Sequence, residues 1–169
     1  MALTRRAFCI LAVGSLPALS ACGFHLRGSQ GEANLPFKTL YLDVAESSPL
    51  GIELKRTIRA NGGTEIVSDA KSAEARLEVT REVREKVIQS LNSQGRIRQY
   101  TLFYKLAFRV RSRTDTELLA PTEIVLKRDI SFNESQVLAK EAEEALLYRD
   151  MQTDLVQQIL RRLAAIKPA

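Results

Sequence analysis

Apolar residues recur at every second position in four stretches of the chain and at helical spacing in two others. From Lys38 to Val44, Leu40, Leu42 and Val44 oppose Thr39, Tyr41 and Asp43, which predicts a strand. Ser48-Pro49 follows. A Ser can cap a helix, and Pro suits the first helical position, where its missing N–H costs nothing. Leu50, Leu54 and Ile58 step by four, one apolar helical stripe, and Asn61-Gly62-Gly63 closes it. Three long alternating segments come next. Ala73, Ala75, Leu77, Val79, Val83 and Val87 fall on one face of the first, against Glu74, Arg76, Glu78, Thr80, Glu82, Arg84 and Lys86. In the second, Tyr100, Leu102, Tyr104, Leu106, Phe108 and Val110 share a face opposite Lys105, Arg109, Arg111 and Arg113. In the third, Ile124, Leu126, Ile130 and Phe132 point one way and Lys127 and Asp129 the other. Polar turns at Asn92-Ser93-Gln94-Gly95 and from Ser112 to Glu117 join them, so the three pair antiparallel. From Ser135 or Gln136 to about Ile166, Leu147, Met151, Leu155, Ile159 and Leu163 step by four, with Pro168 beyond the end. The expected fold is α+β, in the order β-α-β-β-β-α. Two helices cover one face of a four-stranded, mostly antiparallel sheet, which satisfies every apolar stripe.

Composition narrows the chemistry. The chain has 169 residues, 45% of them hydrophobic, which suits one globular domain and leaves no room for separate cofactor and substrate domains. One His and two Cys exclude a structural zinc site built by this chain alone, which needs about four such ligands. The N-terminus reads as an address, not as fold. Arg5 and Arg6 precede a short apolar run, Ala7 to Leu16, that is too short to span a bilayer. Leu19-Ser20-Ala21-Cys22 then has the form of a bacterial lipobox, so residues 1–21 are expected to be a lipoprotein signal and Cys22 the acylated N-terminus. Thr4-Arg5-Arg6-Ala7-Phe8 also has twin-arginine character. Cleavage would remove Cys9 and leave Cys22 alone, so no internal disulfide is expected. Gly23, rather than Asp, after the Cys favours the outer membrane. Residues 22–36, containing Gly, Ser, Gln and Asn, read as a lipidated tether, and residues 37–169 as one α+β domain.

Few constellations support catalysis. His25 lies in the tether, apart from any orienting partner, so no hydrolytic triad is expected. Asn61-Gly62-Gly63 ends a helix instead of feeding one, unlike a phosphate-binding loop. Glu74, Glu78 and Glu82 read as solvated cross-strand partners of basic residues, and Glu141, Glu143 and Glu144 as favourable to the last helix's dipole. The sequence therefore predicts no enzyme, no cofactor and no metal. Basic residues are the more telling signal: net charge is +5, Arg109, Arg111 and Arg113 form a stripe, Arg96 and Arg98 flank a turn and Lys140 opens the last helix. Arg and Lys so placed can grip phosphate or can simply protect strand edges. The exported compartment disfavours nucleic acid as the partner.

After the lipobox, Cys22-Gly23-Phe24-His25-Leu26-Arg27-Gly28 resembles the start of the mature LPS-assembly lipoproteins of the LptE family. The element order, and Phe132-Asn133-Glu134 leading to Leu138-Ala139-Lys140, resemble that family too. The resemblance implies a lipid-anchored outer-membrane protein that plugs the lumen of the LptD β-barrel and helps to deliver lipopolysaccharide to the outer leaflet. It implies lipopolysaccharide contact at Lys140, and at the preceding turn, where basic residues are displaced to Arg96 and Arg98. The competing expectation is an auxiliary lipoprotein that faces the periplasm and binds a small amphiphile for a lipid transporter.

Overall fold

The computed structural model describes residues 35–167. The leader at 1–21, the acylation site Cys22, His25, most of the tether and Pro168 lie outside the described residues.

Strand β1 (Thr39–Asp43) leads into helix α1 (Pro49–Asn61). Ser48 caps α1 by accepting from the Gly51 amide, with Pro49 just inside and Gly62 at φ 69° closing the helix. A three-residue strand, β2 (Glu65–Val67), follows. Three long strands come next: β3 (Ala75–Leu91), β4 (Ile97–Ser112) and β5 (Glu117–Ser131). Helix α2 (Val137–Ala164) completes the fold after a short 3-10 turn at Glu134–Gln136.

The sheet order is β2-β1-β3-β4-β5. β1 lies parallel to both β2 and β3, while β3-β4 and β4-β5 are antiparallel. The sheet therefore has five strands where the sequence predicts four. Glu65-Ile66-Val67 is too short to display a period, and the parallel β1–β2 pairing is made possible by α1 as the crossover between them.

Both helices pack on one face of the sheet. Leu50, Leu54 and Ile58 of α1 and Met151, Leu155, Ile159 and Leu163 of α2 are buried against Leu40, Leu77, Leu106, Phe108 and Val110. Each of these side chains contributes about 1.5–3 kcal/mol of transfer free energy.

A β-bulge divides β3. Leu77 pairs with Val110 and Val79 with Phe108, but Arg81 pairs with Ala107 and Glu82 with Leu106, leaving Thr80 as the extra residue. The Thr80 hydroxyl donates to the Ala107 carbonyl. Because strand side chains alternate, one inserted residue exchanges the two faces of the strand from there to Ile88, where the register shifts again. This corrects the sequence-based assignment. Glu82, Arg84 and Lys86 stand on the helix side opposite Leu106, Tyr104 and Leu102, while Val83 and Val87 turn to the bare face opposite Lys105 and Thr101.

Candidate functional site

The site lies at the hairpin end of the molecule, between the distal half of β3, the last residues of β5 and the first half of α2. Here the helix–sheet layer is polar. The Tyr104 hydroxyl donates to Glu82 at 2.5 Å, and the Arg84 guanidinium donates to Tyr104 Oη and to Gln152 Oε1, both at 2.9 Å. Arg84 also stacks over the Tyr104 ring, 4.5 Å from its centroid. Gln152 Nε2 donates to Glu53 at 2.6 Å, tying α2 to α1. Burial, reinforced by the hydrogen bond to Glu82, pushes the Tyr104 hydroxyl up to about 12. Tyr148 shifts the same way through burial, and its hydroxyl donates to the Glu85 carbonyl.

Two adjoining hollows open from this layer. A cleft of about 630 Å³ is bounded by Pro49, Arg84, Lys86, Tyr148, Arg149 and Gln152. Beside it, a slot of about 200 Å³ has walls of Tyr100, Ile130, Phe132 and Val137, with Lys86 and Lys140 among its cations. Tyr100 and Phe132 meet edge to face at 5.4 Å. Lys86 is paired with Glu144 at 2.5 Å and sits 4.4 Å from the Tyr100 centroid.

The residues singled out from sequence converge at this end. Lys140 lines the slot, its Nζ held by Ser131 at 2.9 Å and Glu143 at 2.8 Å, with the side chain 17% exposed. Arg96, in the β3–β4 turn, reaches Glu134 just before α2 at 3.1 Å and is 66% exposed. Arg98 is exposed on β4, and its carbonyl accepts from the Phe132 amide. The fold thus brings the turn and the start of α2 together. The three cations differ in availability: Arg98 and Arg96 reach solvent, whereas Lys140 is held in place.

The arginine stripe has another character. Arg109 and Arg76 share Glu78, at 2.5 and 2.6 Å, and Arg111 holds Asp115 through both carboxylate oxygens at 2.8 Å. Arg111 keeps the Asp115 carboxyl below its ordinary range. The stripe is therefore largely neutralised by its neighbours. Glu78 is the cross-strand partner of Arg109 that the sequence suggests, but it is 8% exposed and not solvated, closed over by Arg76 and Arg109, whereas Glu82 faces the helices. Glu143 and Glu144 lie beyond the first turn of α2 and form ion pairs with Lys140 and Lys86.

Arg84 and Lys86 are the site residues that sequence reasoning missed. The signal was present: beyond Val79 the supposedly apolar series contains Arg81 and Glu85, so the alternation fails where the bulge lies. Among the described residues no helix is long and apolar enough to cross a membrane, and no group of three His, Cys, Asp or Glu side chains could hold a metal.

Residues 37–163 match the family model described as LptE: Lipopolysaccharide-assembly. The chain is similar to the LPS-assembly lipoprotein LptE of Pectobacterium atrosepticum, with 29% identity over 153 residues, 87% of this chain and 79% of that one. Among solved structures it is similar to lipoprotein B of Nitrosomonas europaea, with TM-score 0.73, 40% identity and coverage of 85% of this chain and 91% of that one. The rare lipoprotein B of Shewanella oneidensis has TM-score 0.66 and 26% identity, over 75% of this chain and 94% of that one.

Proposed function

We propose, from the premise that this chain belongs to the lipopolysaccharide-assembly family LptE, that it is a lipoprotein anchored through Cys22 in the outer membrane. There it would seat inside the LptD β-barrel as a plug and assist delivery of lipopolysaccharide to the outer leaflet. The observation that carries this reading is the family match across residues 37–163 together with the cation-rimmed slot at the hairpin end. Lipopolysaccharide offers phosphates and acyl chains, and the slot offers Lys140 and Lys86 beside Tyr100, Ile130 and Phe132. A charged, hydrogen-bonded surface also suits the polar lumen of a large barrel. The role is one of assembly, and the matched family is not an enzyme family.

Capture of the tagged full chain from solubilised outer membranes tests the plug. A β-barrel of large size is expected at one copy per chain. Recovery of the chain alone would return the reading to an auxiliary lipoprotein that binds a small amphiphile. Labelling with a palmitate analogue should mark the wild type and leave Cys22→Ala unlabelled.

A further inference from the structure

The cleft and the slot meet at the Lys86–Glu144 ion pair, because both residues line both hollows. Their chemistry differs on the two sides of that pair. Arg84 and Arg149 line the cleft, beside Tyr148. Arg84 is set apart from other strand arginines by what holds it. Arg76, Arg109 and Arg111 each bond a carboxylate. Arg84 instead bonds two neutral oxygens, those of Tyr104 and Gln152, both through the same terminal nitrogen. The Tyr104 and Tyr148 rings flank its guanidinium, with centroids 4.5 and 5.6 Å away. The Glu82 carboxylate in the same network is engaged by the Tyr104 hydroxyl. Among the described residues neither Arg84 nor Arg149 forms an ion pair. A guanidinium fixed by neutral partners keeps its charge uncompensated and its N–H fork in one orientation, which suits a phosphate.

Beyond the pair the walls turn apolar, with Tyr100, Ile130, Phe132 and Val137. Ile88 pairs with Tyr100, shares its face and is 53% exposed, so apolar surface continues past the slot. Size divides the hollows as well. The cleft, at about 630 Å³, is in the range of small-molecule sites, about 300–1,000 Å³, whereas the slot, at about 200 Å³, is below it and suits a chain more than a ring. We infer that the two hollows hold one phosphorylated glycolipid in a fixed direction. Its phosphate lies on Arg84 and Arg149, its sugar against Tyr148, and an acyl chain runs past the Lys86–Glu144 pair into the slot. Tyr148 offers the sugar an apolar face, and Glu141, which also lines the cleft, accepts from hydroxyls. This inference rests on the lipopolysaccharide reading for the class of ligand, and it adds which end of the ligand lies in which hollow.

Binding by the full chain in non-ionic detergent tests the direction, with three probes: lipid A, lipid A stripped of its phosphates, and the deacylated, phosphorylated disaccharide. Arg149→Gln should weaken both phosphorylated probes by about tenfold, the worth of one charge-assisted hydrogen bond, and leave the dephosphorylated one unchanged. Arg149 is exposed and forms no ion pair among the described residues, so the fold loses little with it. Arg84→Lys keeps the charge but loses the fork and should follow Arg149→Gln, with circular dichroism showing that it is folded. Val137→Asp should weaken both acylated probes by a similar factor and leave the deacylated one unchanged. An Asp suits the first turn of a helix, so α2 should persist. A wild type that binds no lipid A overturns this inference and the lipopolysaccharide reading together. If the wild type binds lipid A, two results overturn this inference alone: Arg149→Gln acting without regard to phosphate, or Val137→Asp acting without regard to acyl chains. Equal competition by phosphatidylglycerol also overturns it, since the cleft would then take a glycerophosphate and not a sugar.

Discussion

β3 passes through two interiors. Before the bulge, Ala75 and Leu77 enter a dry layer with Leu40, Leu54, Val110 and Leu155, all fully or almost fully buried. After it, Glu82, Arg84 and Lys86 enter a wet one, in which each finds a hydrogen bond or an ion pair and all stay in reach of solvent. The same strand, the same β4 partner and the same α2 cover serve both halves. What changes is one residue of register, and with it the kind of stabilisation. Non-directional burial holds the first half, and a chain of directional bonds holds the second.

The contrast is broken most severely by putting charge in the dry half. Leu54→Asp places a carboxylate where the native side chain is 0% exposed, and a loss of about 3–5 kcal/mol is expected in denaturant unfolding. Deleting Thr80 attacks the boundary itself. It would return Val83 and Val87 to the helix side and expel Arg84, stranding Tyr104 and Gln152, with a loss of about 3 kcal/mol. Within the wet half, Tyr104→Phe removes the central hydroxyl and should cost about 1–2 kcal/mol. It also has a signature in pH. The folded chain keeps the Tyr104 proton to about 12 and the unfolded chain only to about 10, so this contribution is present below pH 10. It is lost as pH rises from about 10 to 12. Alkaline unfolding curves of the wild type should show that decline, and Tyr104→Phe should lack it.

The smallest effects belong to the rim. Lys140→Asp combined with Arg96→Asp and Arg98→Asp should weaken binding of lipopolysaccharide by roughly 1–3 kcal/mol per contact in low salt, and less as salt rises. Circular dichroism must first show that the triple variant is folded. Unchanged affinity would leave these residues as solubilising charges, and the plug reading would then rest on the family match.

The two halves were also unequally legible. In the dry half, alternation at Leu40 and Leu42 and the four-residue step from Leu50 to Ile58 are direct prints of burial, and the structure follows them. Ser48, Pro49 and Gly62 mark the ends of α1 because capping and a positive φ have a narrow residue vocabulary. Past Thr80 the code is weaker. A bulge is specified by backbone fit and not by residue type, and a polar interior reads like a surface. Arg84 therefore reads as an ordinary surface charge, and its bonds to Tyr104 and Gln152, 20 and 68 residues away, leave no local mark in the sequence. Lys140 and the turn arginines stood out by charge and placement, the resemblance supplied their role, and their shared position at one end came from the antiparallel order of the strands. β2 was missed because three residues carry no period.

Helix α2 lies across both halves, and this gives it the mechanics of a cantilever. Its C-terminal part is clamped by Leu155, Ile159 and Leu163, each without solvent exposure. Its N-terminal part, where Leu138 is 82% exposed, is guyed to the sheet by Lys86–Glu144 and Lys140–Ser131. The free end can deflect while the clamp holds, so amide exchange should quicken steadily from Leu163 back toward Leu138. Salt should steepen that gradient by slackening the Lys86–Glu144 stay and leaving the clamp untouched. A load applied in the slot would then be felt along the beam as bending, without any part of the dry core having to open.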